Sequence, residues 1–436
     1  MILKSARIVS LISLLVIAVG TDAQSVSPPQ SPSATIAPTV GWHAVPGTSL
    51  KESGACPPNG FGGDSYDFSS ACRNVIRAWS GAIADTNRNR LLLWGGGHSD
   101  YAGNEIYLLD LNSRPVSLRR VKDPTVPTNS PANNPYYKEA SGCVYGIPPV
   151  KTADVPPGPG PEPNAVHTYG GLAYIAHADS MFAVGGSLAC GPGNGSRETW
   201  TIRLDRLSNQ SKWRRHHDVQ GPLPGSEGGN TIGIAADYDP NSGLVFISDS
   251  ASLYAFDYAR NAYKRVLGSG QLVTSGRLSG GIDAPRKLFV LVGNCGKGNC
   301  GPGSGVFAVD IADPANAKVQ NWTAGTMSDS ICAEFLAGGA TPLNSGAAPG
   351  FAYDSVAKSF VGWPNSGSTV YILTPEPAGK RLRCEKREFV DGPPHSSHAG
   401  PRTSNGTFGR FRYLPHLDLF VLVNDWDIPA YLLRLR

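Results

Sequence analysis

One short pattern of strands and turns recurs along this 436-residue chain and constrains its fold more than any other feature. The clearest copy runs from Ser80 to Asp110 and reads SGAIADTNRNRLLLWGGGHSDYAGNEIYLLD. A polar turn at Asp85 to Arg90 separates two apolar strands, and a glycine run at Gly95 to Gly97 precedes a third. Short β-branched and aromatic runs bounded by turn residues predict antiparallel strands. We interpret this stretch as three strands of one blade.

The second strand of this pattern occurs six times along the chain, each time after a turn and a first strand. The six apolar segments are Leu91 to Trp94, Met181 to Val184, Leu244 to Ile247, Leu288 to Val292, Phe360 to Trp363 and Leu419 to Val423. Repetition of one sheet-forming unit indicates an array in which neighbouring units share a core. With 52 Gly and 36 Pro in the chain, we expect an all-β fold rather than a helical or doubly wound one.

The copies also share paired glycines after the second strand, an aromatic residue with Asp on the third, and a Trp on the fourth. Examples are Gly95-Gly96, Gly185-Gly186, Tyr107 with Asp110, Tyr254 with Asp257, and Trp213. In these features the chain resembles kelch repeats, the β-propeller family that includes galactose oxidase. The resemblance covers nearly all of residues 42–436 and implies a kelch-type β-propeller. Six blades are preferred, because a seventh would have to lie in Val121 to Val166, which is rich in proline and poor in strand pattern.

A strand near the N-terminus has no hairpin partner. Gly41 to Val45 has strand character, whereas the last copy of the pattern supplies only three strands before Arg436. We expect this N-terminal strand to complete the last blade and close the ring. Residues 41–436 would then form a single propeller domain, preceded by a flexible Ser- and Pro-rich lead-in over residues 24–40.

The first 23 residues have the pattern of an export signal. Lys4 and Arg7 precede an apolar run from Ile8 to Val19, and small residues follow up to Ala23. This pattern predicts a secretory signal peptide and a secreted product, extracellular or periplasmic. The formal net charge of +4 indicates neither a nucleic-acid nor a membrane partner. We expect a monomer.

Eight cysteines follow the signal, and an even set in an exported chain indicates disulfides. The pairing we expect is Cys56 with Cys72, Cys143 with Cys190, Cys295 with Cys300, and Cys332 with Cys384, although other connectivities stay open. A zinc site at Cys295 and Cys300 is the weaker interpretation, because the spacing is not Cys-x-x-Cys and no paired histidines follow. No metal and no cofactor are predicted.

The two faces of such a propeller differ in loop length. Turns between first and second strands lie on one face and are short here, as at Asp179-Ser180. Turns between second and third strands and connections between blades lie on the other, which we call the long-loop face. It includes Val121 to Val166 and Thr323 to Pro349. Long ordered loops on a rigid scaffold usually carry function, so we expect the site there.

Polar and aromatic side chains gather on the long-loop face. The candidates for catalysis are His98, His167, Tyr169 and Arg410. The candidates for binding substrate are Asp100, Tyr101, Glu227, Asn230, His398, Arg402, Arg412, Asp425 and Trp426. Arginine can bind a uronate carboxylate, and histidine or tyrosine can move a proton near neutral pH. This set predicts binding of a polysaccharide or other glycan, with lyase or hydrolase chemistry on a uronate-containing substrate.

Several candidates also have a structural interpretation. Tyr101 and Tyr169 fit blade packing better than ligand contact, and Arg410 and Arg412 share one side of a predicted strand, where inter-blade salt bridges are as good an explanation. His216, beside Trp213, is predicted to lie at the surface. The alternative function is therefore a non-catalytic propeller that binds a glycan or a protein.

Galactose oxidase is a poor model for the chemistry. Its copper site includes an adjacent Tyr-His pair, and this chain contains no Tyr-His dipeptide, so the resemblance carries over no copper ligand. The combination of His, Tyr and Arg in a central cleft is similar to that of secreted propeller polysaccharide lyases. That similarity is one of residue type, because no lyase motif matches position by position.

Overall fold

The same four-residue turn joins the first and second strands of every blade in the computed structural model. These turns span residues 86–89, 176–179, 240–243, 284–287, 355–358 and 415–418. The last residue of each has left-handed backbone, with φ between 46° and 72°, at Asn89, Asp179, Gly243, Lys287, Lys358 and Asp418. Gly, Asn and Asp tolerate this conformation best. In four blades an aspartate ends the first strand, and at Asp239, for example, its carboxylate accepts the backbone N–H groups of Asn241 and Ser242.

Each blade is a four-stranded antiparallel sheet. The first blade contains Gly81–Asp85, Arg90–Trp94, Ile106–Asp110 and Ser117–Lys122; the second Leu172–Ile175, Ser180–Val184, Thr199–Arg203 and Arg214–Arg215; the third Ile234–Asp239, Leu244–Asp249, Leu253–Asp257 and Ala262–Leu267. The fourth contains Leu278–Asp283, Leu288–Gly293, Gly305–Asp310 and Lys318–Asn321; the fifth Gly350–Asp354, Ser359–Trp363, Val370–Glu376 and Arg381–Arg387; the sixth Phe411–Leu414, Leu419–Leu422, Ala430–Arg434 and Gly41–Val45. The structure describes residues 36–97, 100–126, 138–140, 143–145, 162–188, 196–217, 234–249, 252–268, 278–293, 305–337, 348–393 and 405–436.

The six first strands contact one another in a closed ring and line a central channel. Apolar side chains from facing blades fill the space between them, as where Ile83 and Trp94 of the first blade meet Leu172 and Trp200 of the second. A repeat of this kind buries its hydrophobic faces only against its neighbours. The prediction of a six-bladed β-propeller is confirmed.

The ring closes through the N-terminal strand, as predicted. Gly41–Val45 pairs antiparallel with Ala430–Arg434, with Ala44 opposite Tyr431. Trp42 is 6% exposed and its ring lies 6.3 Å from that of Phe411 and 6.5 Å from that of Trp363. Its indole N–H donates to the carbonyl of Ser368 at 2.9 Å. The strand therefore covers the open edge of Ala430–Arg434 and fills the space between the fifth and sixth blades.

Helices occur within the segment Thr323 to Pro349, which the sequence pattern predicted to be a long ordered loop. Thr323–Met327 and Ser330–Leu336 are α-helical, and the carboxylate of Asp329 caps the second by accepting the N–H groups of Ile331 and Cys332. The other short elements are the helices Phe68–Ala71 and Asn74–Arg77, the 3-10 turns Phe61–Gly63, Ala176–Ala178, Pro377–Gly379 and Phe408–Arg410, and the strand pairs Lys138–Ala140 with Cys143–Tyr145 and Val166–His167 with Ser187–Leu188. None of the helices within the described ranges has the length and apolar character needed to cross a membrane.

Two disulfides agree with the expected pairing. Cys56 bonds Cys72, and Cys332 bonds Cys384. The second bond ties the helix Ser330–Leu336 to the outer strand of the fifth blade. The side chains of the remaining four cysteines lie outside the described residues.

His216 is buried, so the prediction of a surface histidine is wrong. It has no exposed surface, its Nε2 lies 2.7 Å from the hydroxyl of Thr201, and its Nδ1 lies 2.7 Å from Oδ1 of Asn261. The outer strand Arg214–Arg215 is only two residues long, and the ring of the following His216 packs against Phe256 and Tyr258 of the third blade. Burial lowers the pKa of His216 to about 4, and the positive charges of Arg214 and Arg215 add to this effect.

Candidate functional site

Three aromatic residues near the starts of first strands have an unusual backbone conformation. Trp79, Tyr169 and Phe408 each have a φ of 47°, and they lie just before the first strands of the first, second and sixth blades. A bulky residue in the left-handed region is strained. Such strain collects at functional sites, where the surrounding structure holds it in place. These residues therefore mark one end of the channel, on the long-loop face.

The three aromatic residues contact one another. The N–H of Tyr169 donates to the carbonyl of Trp79 at 2.7 Å, and the rings of Tyr169 and Phe408 are 5.7 Å apart in an edge-on arrangement. The ring of His167 lies 4.9 Å from that of Trp79 and 6.0 Å from that of Tyr169. His167 thus belongs to a continuous aromatic layer, in which Trp79 is half-buried.

A carboxylate orients the imidazole of His167. Its Nε2 lies 2.8 Å from Oδ2 of Asp100, and the exposed fractions of the two side chains are 3% and 38%. Asn74 donates from its side chain to the carbonyl of Asp100 at 2.7 Å and holds that loop in place. Gly97 allows the loop to approach, because a Cβ there would lie 2.1 Å from the backbone nitrogen of His167. A histidine paired with a carboxylate is an arrangement suited to moving a proton.

Arg410 is buried and contacts backbone rather than the channel mouth. Its guanidinium donates to the carbonyls of Ile76, Ser80 and Gly406. Burial lowers its pKa to about 10, against the attraction of Asp425. The contacts to residues 76 and 80 hold the segment that carries Trp79, so these contacts fit a positioning role.

Asp425 and Trp426 gather around Arg77 on the same face. Oδ1 of Asp425 accepts from Nε of Arg77 at 2.6 Å, and the guanidinium of Arg77 lies 5.7 Å from the ring centre of Trp426. The ammonium of Lys51 lies 5.4 Å from the same ring. The side chain of Asn405 donates to the carbonyl of Arg77 at 2.8 Å. This cluster adjoins the aromatic layer through residues 77–79.

Tyr101 lies in the core, as the packing interpretation favours. It is 1% exposed, and its hydroxyl donates to Glu105, which also accepts from Tyr107 at 2.6 Å. Burial raises the pKa of the Glu105 carboxyl. Tyr101 therefore supports the loop that carries Asp100.

Arg412 does not share a strand face with Arg410. Arg410 ends the 3-10 turn Phe408–Arg410, whereas Arg412 lies inside the strand Phe411–Leu414. Arg412 donates to the carbonyls of Ala82 and Gly409 and faces a cavity deeper in the channel. The remaining candidates, His98, Glu227, Asn230, His398 and Arg402, lie outside the described residues.

Trp79 and Arg77 were missed by the sequence interpretation. Trp79 precedes the first strand of its blade as Tyr169 precedes the next, so an aromatic residue at this position of the repeat was an available signal. Arg77 had no such signal in the sequence, because its partners Asp425 and Asp427 lie about 350 residues away. Within the described residues, no group of three or more His, Cys, Asp and Glu side chains is arranged to hold a metal ion.

Comparison with known proteins gives distant similarities to solved structures. No protein-family model matches the sequence, and no curated protein matches it. Among solved structures, the chain is similar to TolB from Acinetobacter baumannii, at 12% identity, a TM-score of 0.36, and coverage of 72% of this chain and 55% of TolB. It is also similar to a fungal alcohol oxidase of the AA5 family in complex with copper, at 10% identity, a TM-score of 0.35, and coverage of 73% and 55%.

A chain of the mitotic checkpoint complex matches at 9% identity, with a TM-score of 0.43 and coverage of 98% of both chains. The present chain spans about half the length of the TolB and alcohol oxidase chains, since 55% of each is covered. At these identities the similarities concern the fold alone.

Proposed function

We propose that this propeller is exported, binds carbohydrate on its long-loop face, and breaks a uronate-containing glycan there by elimination. The observation that carries the proposal is the pairing of His167 with Asp100 beside the half-buried ring of Trp79. A carboxylate-oriented imidazole can take a proton near neutral pH. Tyr169, in the same aromatic layer, is the candidate proton donor.

In the proposed step, His167 takes the proton on the carbon next to the uronate carboxylate. The electron pair left by that proton forms a carbon–carbon double bond as the bond to the leaving oxygen breaks, and Tyr169 protonates that oxygen. No water is consumed. A positive charge near the carboxylate lowers the cost of removing the proton. Arg410 directs its donors to backbone carbonyls. For this role we propose Arg402, which the sequence predicts to lie on the same face.

Burial of His167 favours a second candidate, a non-catalytic propeller that binds a glycan. The residue is 2% exposed, which suits a histidine that holds the aromatic layer together. In that case Trp79 and the Arg77 cluster would bind the ligand and no bond would be broken.

Export and a kelch-type repeat are part of the same proposal. The disulfides Cys56–Cys72 and Cys332–Cys384 support export, because such bonds persist in oxidising compartments. The signal pattern of residues 1–23 supports it independently. The glycine pairs after the second strands of the first two blades support the kelch assignment.

The test is incubation of the purified protein with a panel of uronate-containing polysaccharides. Elimination produces unsaturated ends with a new ultraviolet absorbance, and His167→Ala should lower its rate by roughly 10² or more. His177→Ala is the matched control, because His177 lies in a first-to-second turn of the same blade, on the opposite face. New reducing ends without the absorbance would indicate hydrolysis by two carboxylates, such as Asp100 and Glu227. Glycan binding without turnover would refute the lyase and leave the non-catalytic candidate.

A further inference from the structure

A cavity of about 270 Å³ lies at the other end of the central channel. Its rim includes Thr86, Ala176 and Pro240, which belong to the four-residue turns between first and second strands. It is therefore distinct from the aromatic layer on the long-loop face. Space of this size would hold about nine water molecules at roughly 30 Å³ each, or one small organic molecule.

Tyrosine rings form much of the wall. Four blades place a tyrosine next to the end of the first strand or its turn: Tyr174, Tyr238, Tyr353 and Tyr413. Three of these hydroxyls donate to aspartates at this end of the propeller, at 2.9 Å from Tyr174 to Asp179, 2.8 Å from Tyr353 to Asp283 and 2.7 Å from Tyr413 to Asp418. These bonds fix the rings, so the cavity has rigid, largely apolar walls formed with Ile83 and Phe351.

Besides the tyrosines, one acidic and one basic side chain face the cavity, Asp237 and Arg412, and they differ in what they can still bind. Asp237 already accepts the backbone N–H groups of Ile282 at 2.8 Å and Tyr238 at 3.0 Å, one on each oxygen. Arg412 donates from Nε and Nη2 to the carbonyls of Gly409 and Ala82. Its Nη1 donates to none of the residues that the structure describes. The group that can still bind a ligand in the cavity is therefore the cationic guanidinium of Arg412.

We propose that this cavity binds a small organic carboxylate, with its flat apolar body against the tyrosine rings and its carboxylate on Nη1 of Arg412. Apolar walls with a few polar groups that fix orientation are the usual construction of a small-molecule site. A hydrogen bond between a guanidinium and a carboxylate is among the stronger ones available in proteins.

The environment of Asp237 is compatible with a second carboxylate nearby. Burial raises the pKa of the Asp237 carboxyl, although Arg412 and the backbone N–H groups act in the opposite direction. A proton on Asp237 would remove its repulsion of an anionic ligand, and a raised pKa makes that proton easier to bind.

The experiment is isothermal titration calorimetry of the full protein with three probes of one size: benzoate, benzyl alcohol and benzylamine. We expect benzoate to bind best, with a millimolar or lower Kd. Arg412→Met, which keeps the side-chain volume, should weaken benzoate binding by about tenfold or more. Thr86→Trp is the second variant, because it blocks the rim without touching Arg412 and should also abolish binding. Arg260→Met is the matched control, since Arg260 is 82% exposed on a turn of the same face.

Each other outcome contradicts the proposal. Stronger binding of benzylamine would show that Asp237, not Arg412, provides the charged contact. Equal binding of all three probes would show that the charge is irrelevant. Undiminished benzoate binding by Thr86→Trp or Arg412→Met would place the ligand outside this cavity, and no binding of benzoate at millimolar concentration would show that the cavity holds only water. None of these results bears on the lyase assay, which concerns the opposite end of the channel.

Discussion

Replacing His216 should change how the stability of the protein depends on pH. The folded state holds His216 neutral between Thr201 and Asn261, and burial lowers its pKa from 6.5 to about 4. The unfolded chain takes up this proton near the ordinary pKa, whereas the folded chain takes it up only near the lowered one. The unfolded state therefore binds more protons between these values, and this residue destabilises the fold as pH falls through that window.

The magnitude follows from the two pKa values. Between about pH 7 and about pH 5, a shift of this size lowers the free energy of unfolding by about 2 kcal/mol. His216→Gln keeps one donor and one acceptor but does not titrate. We expect the free energy of unfolding of the variant to fall by about 2 kcal/mol less over this interval than that of the wild type, whatever its stability at neutral pH.

The assay is urea denaturation followed by tryptophan fluorescence at both pH values. Groups such as Glu105, whose pKa is raised by burial, act equally in both proteins and cancel in the comparison. His416→Gln is the matched control, because it changes an exposed histidine in the turn after Leu414. Parallel pH dependence of the wild type and His216→Gln would refute the assignment of a buried neutral histidine between the second and third blades.

Two further changes test the fold. Trp42→Ala should lower the free energy of unfolding by about 3–5 kcal/mol, because it empties a buried site between the fifth and sixth blades. The control Val40→Ala, at a residue 55% exposed, should change that free energy little. Equal effects of the two variants in urea denaturation would contradict ring closure by this strand. Replacing Cys332 and Cys384 together by serine should lower the free energy of unfolding by about 2–4 kcal/mol, because the disulfide closes a loop with a sequence separation of 52. Peptide mapping that found either cysteine paired with another residue would contradict the structure.

The propeller could be predicted because its signals are local and repeated. Each first-to-second turn carries its own conformational requirement, met by residues such as Asn89 and Asp179 at positive φ. Ring closure could be predicted because the strand at Trp42 had no local partner and the last blade lacked a strand. The helix Ser330–Leu336 was missed although its signal was present: Asp329 is a good N-cap, and Cys332, Phe335 and Leu336 have helical spacing.

The candidate site was harder to predict, because its contacts join distant parts of the chain. Period-two alternation put Arg410 and Arg412 on one side of a strand, but the left-handed Phe408 and the turn that ends at Arg410 break that strand. His216 follows a strand of two residues, too short for alternation to indicate which side chains are buried. Residue type indicated which side chains could transfer a proton. It could not indicate that His167 pairs with Asp100, because that contact forms only where loops from two blades meet.

The two ends of the channel are held together by different kinds of interaction. At the end with short turns, tyrosine hydroxyls bond aspartates, either of the same blade, as Tyr413 bonds Asp418, or of the neighbouring blade, as Tyr353 bonds Asp283. On the long-loop face, Arg410 bonds carbonyls more than 300 residues away, at Ile76 and Ser80. Loss of Arg410 would therefore release the strained Trp79 and, through it, the ring of His167. The strained aromatic layer consequently depends on closure of the whole ring, which makes the proposed chemistry a property of the complete propeller rather than of any one blade.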